Sequence, residues 1–156
     1  MADRITPAER SAVMQRIRKT DTRPEIVVRR AAYALGFRFR LHRRDLPGTP
    51  DLCFPGLSKV IFVHGCFWHL HARCRLARPP KSRLDYWLPK LERNIERDRT
   101  AIAALRRLGW KTLVIWECET RKPELFERKL RMFLGRWPAA SARPAPSSGV
   151  RLVRAS

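Results

Sequence analysis

Phe37-Arg38-Phe39-Arg40-Leu41 alternates apolar and basic side chains, which predicts a strand with one wet face. Lys59-Val60-Ile61-Phe62-Val63 is apolar without alternation after its lysine, and predicts a strand buried on both faces. Lys111 to Trp116 is a second apolar strand, and Asp51-Leu52-Cys53-Phe54 a shorter one. The Pro47-Gly48 turn precedes that short strand and Pro55-Gly56 ends it. Between Pro89 and Leu108 the spacing becomes helical. Leu91, Ile95, Ile102 and Leu105 share one stripe, and Gly109 stops the segment. Pro123 to Leu134 predicts a last helix, closed by Gly135. Two helix starts of capping-box form stand nearer the N-terminus. Thr6-Pro7-Ala8-Glu9 opens a helix to about Arg18, and Thr22-Arg23-Pro24-Glu25 opens one to about Leu35, before Gly36.

The order is ααβββ, then helix, strand and helix, so the expected class is α/β with helices on the faces of a sheet. A chain of 156 residues is the size of one domain with one core. That domain is expected over 1–135. From Arg136 onward the chain is rich in Ala, Pro, Ser and Arg and has no acid, so 136–156 is expected to be a disordered basic tail.

Charge narrows the partners. Lysine and arginine number 34 against 14 acids, a net charge of +20. Such a field opposes folding and calls for a polyanion, of which nucleic acid is the natural candidate. No long apolar run and no leader-like opening favour a membrane instead.

Candidate chemistry concentrates in 64–74, His64-Gly-Cys66-Phe67-Trp68-His69-Leu-His71-Ala-Arg-Cys74, with three of the four histidines and two of the four cysteines. Cys66, His71 and Cys74 could wrap three sides of a zinc ion, with Cys118 arriving from the end of a distant strand. The plainer alternative is unrelated thiols and a surface histidine, and His64 and His69 are alternative zinc ligands. Cys53, inside a strand, reads as core packing. If His64 and His69 are free, they and Asp51 make a hydrolytic set. Asp51 would hold a hard cation such as Mg2+, a neutral histidine would activate water, and a protonated one would stabilise the leaving group. Asp51 could equally be a turn residue, and the histidines structural. Asp98 falls on the apolar stripe of its helix, where a carboxylate needs a partner. That partner is a histidine whose tautomer it fixes, or a neighbouring arginine. Glu25 could face the site, but its capping-box position already accounts for it. Phe67, Trp68 and Trp87 are aromatic wedges for a base stack, or else a cover for the zinc site or the filling of a small core.

Pro50-Asp51, the strand to Val63, His64-Gly-Cys-Phe-Trp-His69, Thr22-Arg-Pro-Glu25, Asn94-Ile-Glu-Arg-Asp98 and Trp116-Glu-Cys118 together resemble the Vsr family of very-short-patch mismatch-repair endonucleases. The likeness runs from about Ser11 to Gly135. It implies a restriction-endonuclease-like fold, with a central mixed sheet flanked by helices and a zinc-stapled loop. It implies Mg2+-dependent nicking of one strand of double-stranded DNA, 5′ to the thymine of a T:G mismatch left by deamination of 5-methylcytosine. Carried over by position, Asp51 and the backbone carbonyl of Val63 bind Mg2+, and His69 activates water. Asp98 and Glu25 support it, and His64 assists at the phosphate. Phe67, Trp68 and Trp87 intercalate, and Cys66, His71, Cys74 and Cys118 bind structural Zn2+. The strand Lys59–Val63 lacks the acid-x-Lys pair common among nucleases, so histidines take that role. The implied setting is a cytoplasmic, nucleoid-associated monomer, with a MutL-like repair protein as a partner. Two other readings fit the residues: a relaxed nuclease that needs no mismatch, and a zinc-containing DNA-binding protein without catalysis.

Overall fold

The computed structural model describes residues 20–136 together with 6, 8, 9, 12 and 13. Within them, β1 (Arg40–Leu41), β2 (Leu52–Phe54), β3 (Lys59–His64) and β4 (Lys111–Trp116) form one sheet in the order β1-β2-β3-β4. The first three strands pair antiparallel and β4 joins β3 parallel, so the sheet is mixed as expected. The helices are α1 (Arg23–Ala34), α2 (Leu84–Arg107), α3 (Glu117–Thr120) and α4 (Pro123–Leu134).

Alternation along the strands builds two cores. On one face Leu52, Phe54, Ile61 and Ile115 pack with Val28 and Ala32 of α1 and Leu130 and Leu134 of α4. On the other, Cys53, Val60 and Phe62 pack with Leu105 of α2. The sheet is therefore covered on both sides, and β3, the strand that leads into 64–74, lies buried between the layers. Cys53 is fully buried, in keeping with a packing role.

β4 and α4 have the expected bounds, and α1 ends at Ala34, one residue short. Other elements differ. The strand expected over 37–41 pairs only at Arg40 and Leu41, opposite Cys53 and Leu52. Its inward residues still turn to the core, Phe37 buried and Phe39 packed against the same cluster, but β2 ends before Pro55, so the ladder cannot run on to Phe37. The helix expected from Pro89 begins at Leu84 and carries Pro89 inside it. Trp87 and Leu91, four residues apart on one face, are both buried and draw the start upstream. The bond that Pro89 forgoes would have gone to Asp85, which is exposed to water. The short α3 was not anticipated. At the N-terminus the Thr6 capping box is in place, with Thr6 N donating to Glu9 Oε2 at 2.7 Å and Glu9 N to Thr6 Oγ1 at 3.2 Å. The rest of that helix, apart from helical residues 8, 9, 12 and 13, lies outside the described residues, as does the tail beyond Arg136.

Candidate functional site

The turn before β2 delivers Asp51. Gly48 adopts φ +74° there and backs so closely on α2 that a Cβ would lie 2.7 Å from that of Ala101. Asp51 then crosses to β3, where its Oδ2 accepts the Val63 N–H at 2.7 Å. Burial pushes the Asp51 carboxyl up to about 7, helped by the charge of Glu25 and opposed by the Val63 N–H, Arg29 and His69. A carboxylate so placed is short of positive charge.

Glu25 faces this site, and the local capping role is corrected. Thr22 makes no side-chain cap bond to the helix; its hydroxyl donates to Glu25 Oε1 at 2.9 Å. Glu25 is buried and also accepts from Asp21 N at 2.9 Å and Arg29 Nη2 at 3.0 Å. His42 completes the group, 3.7 Å from Glu25 Oε2 and 3.8 Å from Asp51 Oδ1. Sequence reasoning passed over both Arg29 and His42. Neither belongs to a motif, and His42 is the one histidine outside 64–74.

A second group stands at the end of β3. The rings of His64 and His69 stack at 3.9 Å and 5°. Asp98, reaching in from the apolar stripe of α2, accepts from His69 Nδ1 and lies 3.9 Å from His64 Nδ1. Of the two partners open to Asp98, histidine is therefore the one it takes. With Nδ1 committed to the carboxylate, His69 has Nε2 left as its basic atom. Burial and the neighbouring His69 push His64 down to about 4, against the pull of Asp98. His64 is thus neutral near pH 7, which does not fit a protonated stabiliser in the DNA-free protein. The two groups adjoin, because Val63 and His64 are consecutive and the charge of His69 acts on Asp51.

The loop brings together the four residues read as zinc ligands. The ligand atoms of Cys66, His71, Cys74 and Cys118 all lie within 4.8 Å of one another. His71 Nδ1 is 3.6 Å from Cys66 Sγ and 3.3 Å from Cys118 Sγ. A tetrahedral zinc site with ordinary Zn–S and Zn–N lengths has S-to-N edges of about 3.6 Å, so three thiols and an imidazole fit that ion. Burial pushes the Cys66 thiol up to about 12, against the Cys118 N–H. Burial also acts upward on Cys74, but hydrogen bonds from the Leu76 and Ala77 N–H groups and neighbouring thiols outweigh it, so Cys74 sits below its ordinary range. α3 places Cys118, whose N–H donates to Cys66 Sγ at 3.4 Å. Trp116 separates this cluster from the histidines, stacked on His71 at 4.1 Å and edge-on to His64 at 5.4 Å.

Phe67 and Trp68 sit half-buried on the same loop. Phe67 meets Trp68 edge-to-face at 5.1 Å and Trp87 at 5.5 Å. Trp87 is only 8% exposed, so it underlies the other two rings and does not project. Lys90 lies 5.5 Å from the Trp68 ring, and Asn94 Nδ2 donates to the Trp68 carbonyl at 3.2 Å. Among the described residues no helix is long and apolar enough to cross a membrane.

A family model described as "DNA mismatch endonuclease Vsr" matches residues 2–75. The "Type II nicking enzyme V.XorIIP" of Xanthomonas oryzae pv. oryzae is 52% identical over 134 residues, covering 86% of this chain and 98% of that protein. The "DNA mismatch endonuclease Vsr" of Escherichia coli is 40% identical over 138 residues, covering 88% of each. The "Type II nicking enzyme V.NmeAIP" of Neisseria meningitidis is 38% identical over 130 residues, covering 83% of this chain and 92% of that protein.

Proposed function

The chain belongs to the Vsr family of DNA mismatch endonucleases, and from that premise we propose that it nicks one strand of duplex DNA 5′ to the thymine of a T:G mismatch. The observation that carries the reading is the meeting, at the end of β3, of the half-buried Asp51 carboxylate, fixed by the Val63 N–H, and a histidine tied to Asp98. Relatives named as nicking enzymes support cleavage of one strand.

Asp51 and the Val63 carbonyl are oxygen donors of the kind Mg2+ takes, and a dication offsets the charge that burial leaves uncompensated on Asp51. Bound there, Mg2+ supplies Lewis-acid stabilisation of the phosphate and eases ionisation of water. His69, oriented by Asp98, takes the proton of the attacking water on Nε2. Water adds to phosphorus as the P–O bond to the 3′-oxygen breaks. That oxygen leaves as a 3′-hydroxyl with a proton from solvent, the phosphate stays on the thymine's 5′ side, and His69 returns its proton to water. Neutral His64 donates a hydrogen bond to a phosphate oxygen, and Glu25 adds negative charge beside Asp51 and supports it. Cys66, His71, Cys74 and Cys118 hold structural Zn2+ and staple the loop to the end of β4.

The net charge of +20 supplies phosphate contacts along the duplex. Phe67 and Trp68, with Trp87 as their floor, enter the stack beside the mismatch, where unstacking costs least. The protein acts as a monomer at the nucleoid, and a MutL-like repair protein is a natural partner. The test is Asp51→Ala, which removes the cation's carboxylate and leaves the wedge. It should bind a T:G duplex in gel shift as wild type does, without cutting it. Retained nicking would refute the metal assignment.

A further inference from the structure

Asp51 has two carboxylate oxygens, and they meet different company. Oδ2 is fixed by the Val63 N–H at 2.7 Å. Oδ1 faces Nδ1 of His42 at 3.8 Å. The other ring nitrogen of His42 meets Arg29 Nη2 at 2.9 Å. A guanidinium only donates, so Nε2 of His42 is the acceptor and the ring proton sits on Nδ1, turned toward Asp51. The same Arg29 nitrogen donates to Glu25 Oε2 at 3.0 Å. One arginine therefore anchors the second carboxylate and sets the tautomer of the histidine that stands between the two acids.

The backbone is bent to bring this ring in. His42 adopts φ +44°, in the left-handed region that few non-glycine residues enter and that asparagine, aspartate and histidine enter most readily. Its N–H meets the Asp51 carbonyl at 3.4 Å, next to the Leu41–Leu52 pair of β1 and β2. Main chain and side chain of His42 are thus both directed at Asp51. The contacts that accompany this conformation, from the His42 N–H and from its ring, both lie at the proposed cation carboxylate.

We propose that His42 is a positioning residue for Asp51. Held by Arg29 as its Nδ1–H tautomer, it aims and steadies the oxygen that the Val63 N–H leaves unfixed, and it spaces Glu25 from Asp51. It acts through Asp51 and touches neither DNA nor water in the reaction. The inference rests on the reading of Asp51 as the cation's ligand, and the variants below separate the two.

The probe is Mn2+, which takes the same oxygen ligands as Mg2+, added to the zinc-loaded full chain without DNA and followed by EPR. His42→Gly keeps the φ +44° backbone and removes the ring. It should weaken Mn2+ binding by about tenfold, the usual scale for loss of a group that orients a ligand. His42→Asn tolerates the same backbone and places an amide N–H where Nδ1 stood, so it should recover most of that loss. Nitrogen-15 spectra of the histidines should show His42 as the Nδ1–H tautomer, and Arg29→Met should release it. Wild-type Mn2+ binding by His42→Gly, beside lost binding by Asp51→Asn, would overturn the role of His42 alone. Wild-type binding by both would overturn the reading of Asp51 and the inference with it. An Asn variant no better than Gly, or an Nε2–H tautomer in the wild type, would also refute the mechanism.

Discussion

Asp51→Asn should make the Mg2+-free protein more stable while removing its activity. The side chain keeps 17% of its surface, and burial lifts its carboxyl from an ordinary 3.8 to about 7. A shift of about three units corresponds to roughly 4 kcal/mol at 1.36 kcal/mol per unit. The sign follows from linkage. An acid whose value is higher folded than unfolded makes ionisation a cost to the fold. That cost is absent below about pH 4, grows as pH rises toward 7, and is complete above it. Asparagine keeps the shape and the acceptor for the Val63 N–H but carries no charge. Its amide must find an acceptor, which takes back part of the gain. The zinc-loaded variant in Mg2+-free buffer should therefore be about 2–4 kcal/mol more stable than wild type at pH 8, with the margin shrinking toward pH 5. Urea unfolding followed by tryptophan fluorescence reads the difference directly. Added Mg2+ should stabilise the wild type alone and narrow the gap. A variant equal to or less stable than wild type at pH 8 would refute the account of Asp51 as a buried charge awaiting a cation.

Three further outcomes follow from the same geometry. Cys118→Ser should lose zinc, measured by elemental mass spectrometry, and amide exchange should quicken across Cys66–Ala77 as the loop comes free; wild-type zinc content would contradict the tetrahedron. Asp98→Asn should slow nicking on the order of a hundredfold by releasing His69, while Mg2+ half-saturation stays unchanged; a shift in Mg2+ requirement instead would assign Asp98 to the cation. Trp68→Ala should weaken T:G binding by roughly tenfold or more, the scale of one lost base–aromatic stack, and leave the salt-dependent binding of matched duplex unchanged; equal losses on both duplexes would rule out the wedge.

What could be read in advance was what local chemistry announces. Pro123, Gly135 and an amphipathic repeat bound α4, and the apolar run Lys111–Trp116 is β4. Asp98 was legible because a carboxylate on an apolar stripe requires a partner, and His69 is that partner. The convergence of Cys66, His71 and Cys74 is written in one loop, and Cys118 follows directly from the end of β4. The misses are places where long-range contact overrides a local signal. Pro89 reads as a helix start, yet burial of Trp87 begins α2 five residues earlier. Thr22 and Glu25 read as a capping box, but the Glu25 carboxylate takes the Thr22 hydroxyl and the Asp21 N–H in place of the cap N–H and also reaches Arg29 and His42. His42 has no neighbour in sequence to announce it, since only the pairing of β1 with β2 carries it to Asp51.

The central claim, cleavage directed by a mismatch, is tested most directly by nicking of end-labelled duplexes with Mg2+. Each duplex would carry T:G or C:G at one position within a panel of flanking sequences. The account predicts a single cut 5′ to the mismatched thymine, in that strand only, absent from C:G duplexes and from Asp51→Asn protein. Equal cutting of T:G and C:G would contradict mismatch direction in favour of a relaxed nuclease. Binding without a cut in any divalent metal would contradict catalysis itself.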